Sequence, residues 1–288
     1  MRLCGLAPNS TTMAQMKRIA VLGAGNIGGA LKSGVADTEH LRATDAAAAR
    51  VEEISQKYLI AASRGGNREA AEWAEVIVLA VKPTTVPHVL EEIREALRME
   101  QILISVAAAF PIALIEKLIG KAMPVFRAMP NIPVVVGEGA TALAANGGVS
   151  AEQRKFVESI FRSTGVVCTV DEELMDAVTA VSGSGPAYIY MVIEALIAGG
   201  LKMGLSHEVS TRLAEQTVLG AAKLVRETML HPAILKDRVI TPGGVTISAI
   251  HELERHGLRA MLISAVETAT RRSRELTQSL VARFGANA

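Results

Sequence analysis

Aromatic side chains make up only 3% of the 288 residues, so few rings are available for bases or sugars to stack on. A surplus of charge is missing too. The formal net charge of +1 gives no basic excess to hold nucleic-acid phosphates, and no block of like charge interrupts the sequence. Recognition of a nucleic acid is excluded on both counts. Two cysteines, Cys4 and Cys168, are too few for a disulfide framework or a thiolate-bound metal cluster, and they fit a reducing cytoplasm. No run of about 18 uninterrupted apolar residues is present to cross a membrane, and the segment MRLCGLAPNSTTMAQM lacks the apolar core of a signal peptide. Residues 1–16 are therefore expected to form a disordered tail outside the fold.

What the chain has in abundance is small and apolar: half of it is hydrophobic and 24 residues are glycine, enough for two modest cores. From Lys17, KRIAVLGAGNIGGAL reads as a short apolar strand that enters Gly23-Ala24-Gly25-Asn26-Ile27-Gly28 and then a helix-compatible stretch. In that setting each glycine has a physical task. Gly23 makes the tight turn, Gly25 lets backbone N–H groups reach a pyrophosphate, and Gly28 lets helix and strand pack closely. Asp45 closes the next short strand, HLRATD, 20 residues beyond Gly25, where an acidic side chain meets the ribose of a dinucleotide. A carboxylate there suits a free ribose diol and repels a 2′-phosphate, although Arg50 or Arg64 could offset it.

Apolar runs at residues 75–81, 101–109 and 124–131 alternate with helical periodicity, which predicts an α/β Rossmann-like domain with a doubly wound parallel sheet. The loops that should line its crevice carry Lys82-Pro83, Ala107-Ala108 and Met129-Pro130-Asn131; ordinary loop ends explain these positions equally well. A helix over VSAEQRKFVESIFRSTG and a last strand, VVCTV, complete a dinucleotide-binding domain at residues 17–172. From 173 to 288 the strands vanish. Helical spacing covers residues 174–203, 206–230 and 245–283, so the second domain is expected to be all-α. Its Ala- and Gly-rich helices, as in IEALIAGGLKMG, permit close crossings but carry little bulky volume, which predicts burial against a second subunit.

His251 and His256 suggest a helical metal motif, but at i, i+5 they point about 140° apart, so a polar helix face is the better reading. SGSGPAY lacks the spacing of a hydrolase nucleophile elbow. The segment VITPGGVTISAI is more informative. Thr241-Pro242 reads as an N-cap followed by proline at the first helical position. The N–H groups of Gly243, Gly244, Val245 and Thr246 would then face a carboxylate at the positive end of the helix dipole; a tight interhelical turn is the alternative.

From about Lys17 to near its end, the chain resembles the pyrroline-5-carboxylate reductases. The segments that carry the resemblance are VLGAGNIGGA, LAVKP, ISVAAAF, FRAMPNIP, VSGSGPAYIYMVIEAL, HPAILKDRVITPGGVTISAI and HGLRAMLISAVETAT. It implies reduction of 1-pyrroline-5-carboxylate to L-proline, the last step of proline biosynthesis, with NADP(H) favoured, NAD(H) as the alternative and no metal. It places Gly23, Gly25, Asn26, Ile27 and Gly28 around the cofactor pyrophosphate and Asn67 near the adenosine ribose. Ala80, Val81, Lys82 and Ala108 fall on the nicotinamide side. The substrate carboxylate lies on Gly243, Gly244, Val245 and Thr246, the Thr246 hydroxyl reaches the ring nitrogen, and Ser184, Gly185 and Pro186 stand where a helix begins beside the substrate. It further implies a cytoplasmic, interlocked homodimer, assembled in some members into a larger ring such as a decamer.

Overall fold

The computed structural model describes residues 17–23, 25, 38–58 and 60–286. Those residues form two compact units: one takes the chain up to Met175 and again from Leu276, the other is Asp176–Glu275. The first is the Rossmann-like sheet domain and the second is all-helical.

The sheet has eight strands in the order β3-β2-β1-β4-β5-β6-β7-β8. These are β1 (Ile19–Leu22), β2 (Leu41–Asp45), β3 (Ala61–Arg64), β4 (Val76–Leu79), β5 (Ile102–Ser105), β6 (Val125–Pro130), β7 (Gly139–Ala145) and β8 (Gly165–Thr169). The central strands IAVL, VIVL and ILIS are buried at every position, as strands covered on both faces must be. At the two edges, AASR in β3 and GVVCT in β8 are mostly exposed or half-buried. The first six strands run parallel, whereas β7 is antiparallel to β6 and β8 follows β7. The sheet is thus doubly wound but not wholly parallel.

Among the described residues this unit carries the helices α1 (Ala48–Tyr58), α2 (Asn67–Trp73), α3 (Val86–Ile93), α4 (Ile112–Ile119), α5 (Ala151–Arg162) and the short α6 (Met175–Val178), which crosses into the second unit. One core joins Ile19, Val21, Val76, Val78, Ile102 and Ile104 to Ile54 of α1 and Val157, Ile160 and Phe161 of α5. Alternation along the strands turns Ala20, Leu22, Ile77, Leu79 and Leu103 to the other face, also buried. Helix ends inside this unit are satisfied by distant side chains. Gln101, 2% exposed, donates to the Ala71 and Ala74 carbonyls at 2.8 and 2.6 Å, closing the end of α2. α5 begins with the capping box of Ser150 and Gln153.

The second unit holds a π-helical turn (Thr179–Gly183), α7 (Gly185–Lys202), α8 (His207–Thr228), α9 (Pro232–Arg238), α10 (Val245–Arg255) and the start of α11 (Leu258–Gly285). The periodicity predicts one helix over 245–283; the structure breaks it at Gly257, whose φ of 71° is easy for glycine and ends a helix whatever the apolar pattern around it. Within this unit only Ala180, Ser210, Ala214 and Ser273 are buried. Ile189, Tyr190, Met191, Leu196, Leu213 and Leu219 are exposed on α7 and α8. The helical run Glu172–Lys202 has the length and composition to cross a membrane, yet Glu172, Glu173 and Asp176 crowd its start, and its residues are mostly half-buried or exposed.

Candidate cofactor and substrate sites

The chain passes from β1 outward to β2 and β3, then returns to β4 on the other side of β1. That reversal opens a crevice at the carboxyl ends of β1 and β4, where an open α/β sheet binds its ligand. Gly23 stands at the lip. Its φ is 97° and its N–H is donated to the Thr44 carbonyl at 2.9 Å, which ties the turn to β2. A Cβ on Gly23 would lie 2.7 Å from both the Ala80 oxygen and Val81 Cγ1, so no side chain fits between the glycine turn and the end of β4. Gly25 is less confined, with Ala80 O at 4.0 Å from its Cβ position. Gly23, Gly25, Ala80 and Val81 thus lie together at this lip. Asn26, Ile27 and Gly28 lie outside the described residues, as do residues 1–16.

Asp45 ends β2, and its Oδ1 accepts the N–H of Ala47 at 2.9 Å, the self-capping that makes Asp common in such turns. Its register partner on β3 is Arg64, whose Nε donates to the Ala46 carbonyl at 3.3 Å. Charge of each sign therefore flanks the turn after β2. Arg50 pairs with Glu53 at 2.5 Å. Asn67 is held twice: Thr44 Oγ1 donates to its Oδ1 at 2.5 Å, and its Nδ2 donates to Glu92 Oε2 at 2.7 Å. Thr44 and Glu92 are parts of this wall that sequence reasoning does not find, because each is an ordinary polar residue until the sheet brings it to Asn67.

Lys82 is exposed at the end of β4, and its carbonyl accepts the N–H of Thr85 as the chain turns into α3. Beyond β5, Val106 donates its N–H to Leu79 O at 3.0 Å and Ala107 donates to Ser105 Oγ at 3.3 Å. Ala107 and Ala109 are buried, while Ala108 is half-buried. Ala109 adopts φ 58° despite having a Cβ, a conformation that costs an L-residue about 1 kcal/mol. The third nominated loop, Met129-Pro130-Asn131, does structural service at its end: Asn131 Oδ1 accepts the Ala140 N–H at 2.8 Å and anchors the start of β7.

In the helical unit, Ser184 stands at the N-cap position of α7 without a side-chain capping bond and closes the π-turn by donating its N–H to Thr179 O at 2.9 Å, with Gly185 and Pro186 opening the helix behind it. Ser182 Oγ is buried there without a hydrogen-bond partner. A π-turn has no sequence signature, since it is an extra residue in an otherwise helical run, and it recurs at functional sites.

The start of α10 corrects the sequence reading. Thr241 is not its N-cap. Gly244 donates its N–H to the Thr241 carbonyl at 3.0 Å, Pro242 follows Thr241, and Gly243 has φ 66°, which together make a type II turn. Gly244 is the N-cap and Val245 the first helical residue. Proline suits the second position of such a turn as well as the first turn of a helix, and the glycine φ decides between them. The Gly244 N–H is therefore spent, and the free donors of the first turn shift to Val245, Thr246 and Ile247. The turn and the helical N-terminus coexist: Thr246 is half-buried on that first turn, with open space beside Gly243, whereas a Cβ on Gly244 would collide with the Thr241 side chain. Farther along α10, His256 Nε2 meets Glu252 Oε1 at 3.0 Å on an exposed helix face.

Comparison with known proteins divides the chain in the same sense. Residues 18–109 match the family described as NADP oxidoreductase, coenzyme F420-dependent, and residues 172–276 match the pyrroline-5-carboxylate reductase dimerisation family. The exposed apolar faces of α7 and α8 lie inside the second match, so the chain carries a dimerisation domain and is built to homo-oligomerise. A pyrroline-5-carboxylate reductase of Pseudomonas aeruginosa is 39% identical over 269 residues, 91% of this chain and 98% of that protein. The structure of such an enzyme from Coxiella burnetii superposes with a TM-score of 0.85 at 37% identity, covering 91% of this chain and 99% of its own. The pyrroline carboxylate reductase of Plasmodium falciparum, solved with NADP bound, gives 0.82 at 32% identity, with 91% and 98% covered.

Proposed function

This chain belongs to the pyrroline-5-carboxylate reductase family, and on that premise we propose that it reduces 1-pyrroline-5-carboxylate to L-proline, completing proline biosynthesis. The observation that carries the reading is the segment 241–246, a type II turn that delivers two glycines and a threonine to a helical N-terminus with unspent N–H groups. That is chemistry for a small carboxylate with a hydrogen-bonding nitrogen beside it.

In this account the dinucleotide-binding part spans 17–172 and the helical part 173–288. Gly23, Gly25, Asn26, Ile27 and Gly28 hold the cofactor pyrophosphate. Asp45 and Asn67 meet the adenosine ribose, and Ala80, Val81, Lys82 and Ala108 border the nicotinamide. When bound, the cofactor supplies the hydride for the C=N carbon. The N–H groups of the first turn of α10 hold the substrate carboxylate, Gly243 leaves room for it, and Gly244 lets Thr241 close over the turn. The Thr246 hydroxyl accepts the N–H of the protonated ring nitrogen, and Ser184 borders the ring. A threonine is a poor acid, so orientation and fixed dipoles carry the rate enhancement.

NADP(H) is favoured, with NAD(H) accepted, because Arg64 beside Asp45 tempers the carboxylate that would repel a 2′-phosphate. The enzyme works in the cytoplasm without a metal, as an interlocked homodimer that can build a larger ring. The test is oxidation of NADPH and NADH, in parallel, with and without pyrroline-5-carboxylate. Substrate-dependent oxidation is expected; cofactor binding without turnover would instead make the protein a nucleotide-sensing scaffold.

A further inference from the structure

Helix α4 lacks a cap of its own. Its N-cap residue is Pro111, which offers no side-chain acceptor for the first N–H groups of the helix. The Ile112 N–H is donated instead to Glu172 Oε1, at 2.8 Å and from 60 positions away. The same oxygen accepts from Arg127 Nη1 at 3.3 Å. The Arg127 side chain is 5% exposed, so its charge is held in the interior and needs a carboxylate beside it. On the sheet, Arg127 of β6 is the register partner of Ser105 of β5, and Ser105 Oγ accepts the Ala107 N–H at 3.3 Å. The loop 106–111 is therefore pinned at both ends, by Ser105 where it leaves β5 and by Glu172 where it enters α4. Between the pins Ala109 is 3% exposed at φ 58°, a conformation that persists only where the surroundings impose it.

We propose that Glu172 is a positioning residue for the reduction, which with Arg127 behind it holds the loop 106–111 so that Ala108 keeps its place at the nicotinamide edge of the crevice. The proposal rests on the assignment of Ala108 to that edge. Its physical basis is that one carboxylate meets two demands at once, the partial positive charge at the start of α4 and the buried guanidinium. Neither demand is met from nearby in sequence, so the loop's placement depends on a residue three positions before Met175, where the sheet unit gives way to the helical one.

The test compares the unsubstituted protein with Glu172→Gln, which keeps an acceptor oxygen at the same reach, and Glu172→Ala, which removes it. Two quantities are read: amide hydrogen exchange over residues 106–112 without ligands, and kcat and KM with NADPH and pyrroline-5-carboxylate. Glu172→Ala is expected to speed exchange in that stretch and lower kcat about tenfold, with substrate KM within about twofold. Glu172→Gln is expected to recover most of the loss, remaining about threefold below wild type because the charge facing Arg127 is gone. Unchanged exchange in Glu172→Ala overturns the clamp, and faster exchange with wild-type kcat overturns its positioning role. Should Glu172→Ala fail to fold, wild-type exchange and kcat in Glu172→Gln overturn the proposal. Wild-type protein without reductase activity would sink the functional reading and the positioning role with it, while the exchange measurement still reports on the clamp itself.

Discussion

A Cβ placed on Gly23 would sit 2.7 Å from the carbonyl oxygen of Ala80. Two loops that meet the same crevice from different strands are thus in backbone contact, and only glycine, at φ 97°, allows it. Gly23→Ala adds a clash with main chain to a strained dihedral. The expected result is a loss of about 2 kcal/mol of stability, read by thermal unfolding, and a cofactor affinity too weak to measure by NADPH fluorescence titration.

Thr246 stands on the first turn of α10, in the unit that does not contain the glycine fingerprint. Removing its hydroxyl should therefore separate the two binding events. Thr246→Ala is expected to raise substrate KM and lower kcat, with kcat/KM down by about two orders of magnitude, while the Kd for NADPH stays within about twofold. A change in cofactor affinity instead would contradict the role given to this residue.

Asp45 and Arg64 face the cofactor question with opposite charges. Replacing the carboxylate by Ser keeps an acceptor for the Ala47 N–H and removes the repulsion of a 2′-phosphate. Asp45→Ser should raise the ratio of kcat/KM for NADPH over NADH by about tenfold, and Arg64→Ala should lower it. Steady-state kinetics with both cofactors reads each change.

The crossing of α7 and α8 is tight at Gly200, where a Cβ would meet Ser210 Oγ at 2.5 Å and Ser210 Cβ at 3.0 Å. Gly200→Ala is expected to cost about 1–3 kcal/mol. The Ser210 hydroxyl is buried without a partner, so Ser210→Ala should be neutral or stabilising. Thermal unfolding of the two single variants and the double variant gives the coupling between them.

The parts of this fold that are legible in the sequence are those with a local cause. IAVL, VIVL and ILIS announce central strands because burial on both faces demands unbroken apolar residues, and the glycines after the first of them need no partner to be understood. AASR at the edge carries no such pattern, and the reversal between β6 and β7 is set by pairing across the sheet rather than by either strand alone. In the segment 239–250 the sequence shows the glycines and Thr246 but misplaces the cap, since Thr-Pro-Gly-Gly fits both a helix start and a type II turn. The capping of Ile112 by Glu172 leaves no trace in either neighbourhood, because Ile112 follows β5 and Glu172 follows β8, and β6 and β7 stand between those strands in the sheet.

The central claim is tested most directly by the product. Purified protein is incubated with NADPH and pyrroline-5-carboxylate, and L-proline is quantified against the NADPH oxidised. The account predicts one L-proline for each NADPH consumed, with proline formation collapsing in Thr246→Ala at saturating cofactor. NADPH bound but not consumed, or consumed without proline appearing, would contradict it.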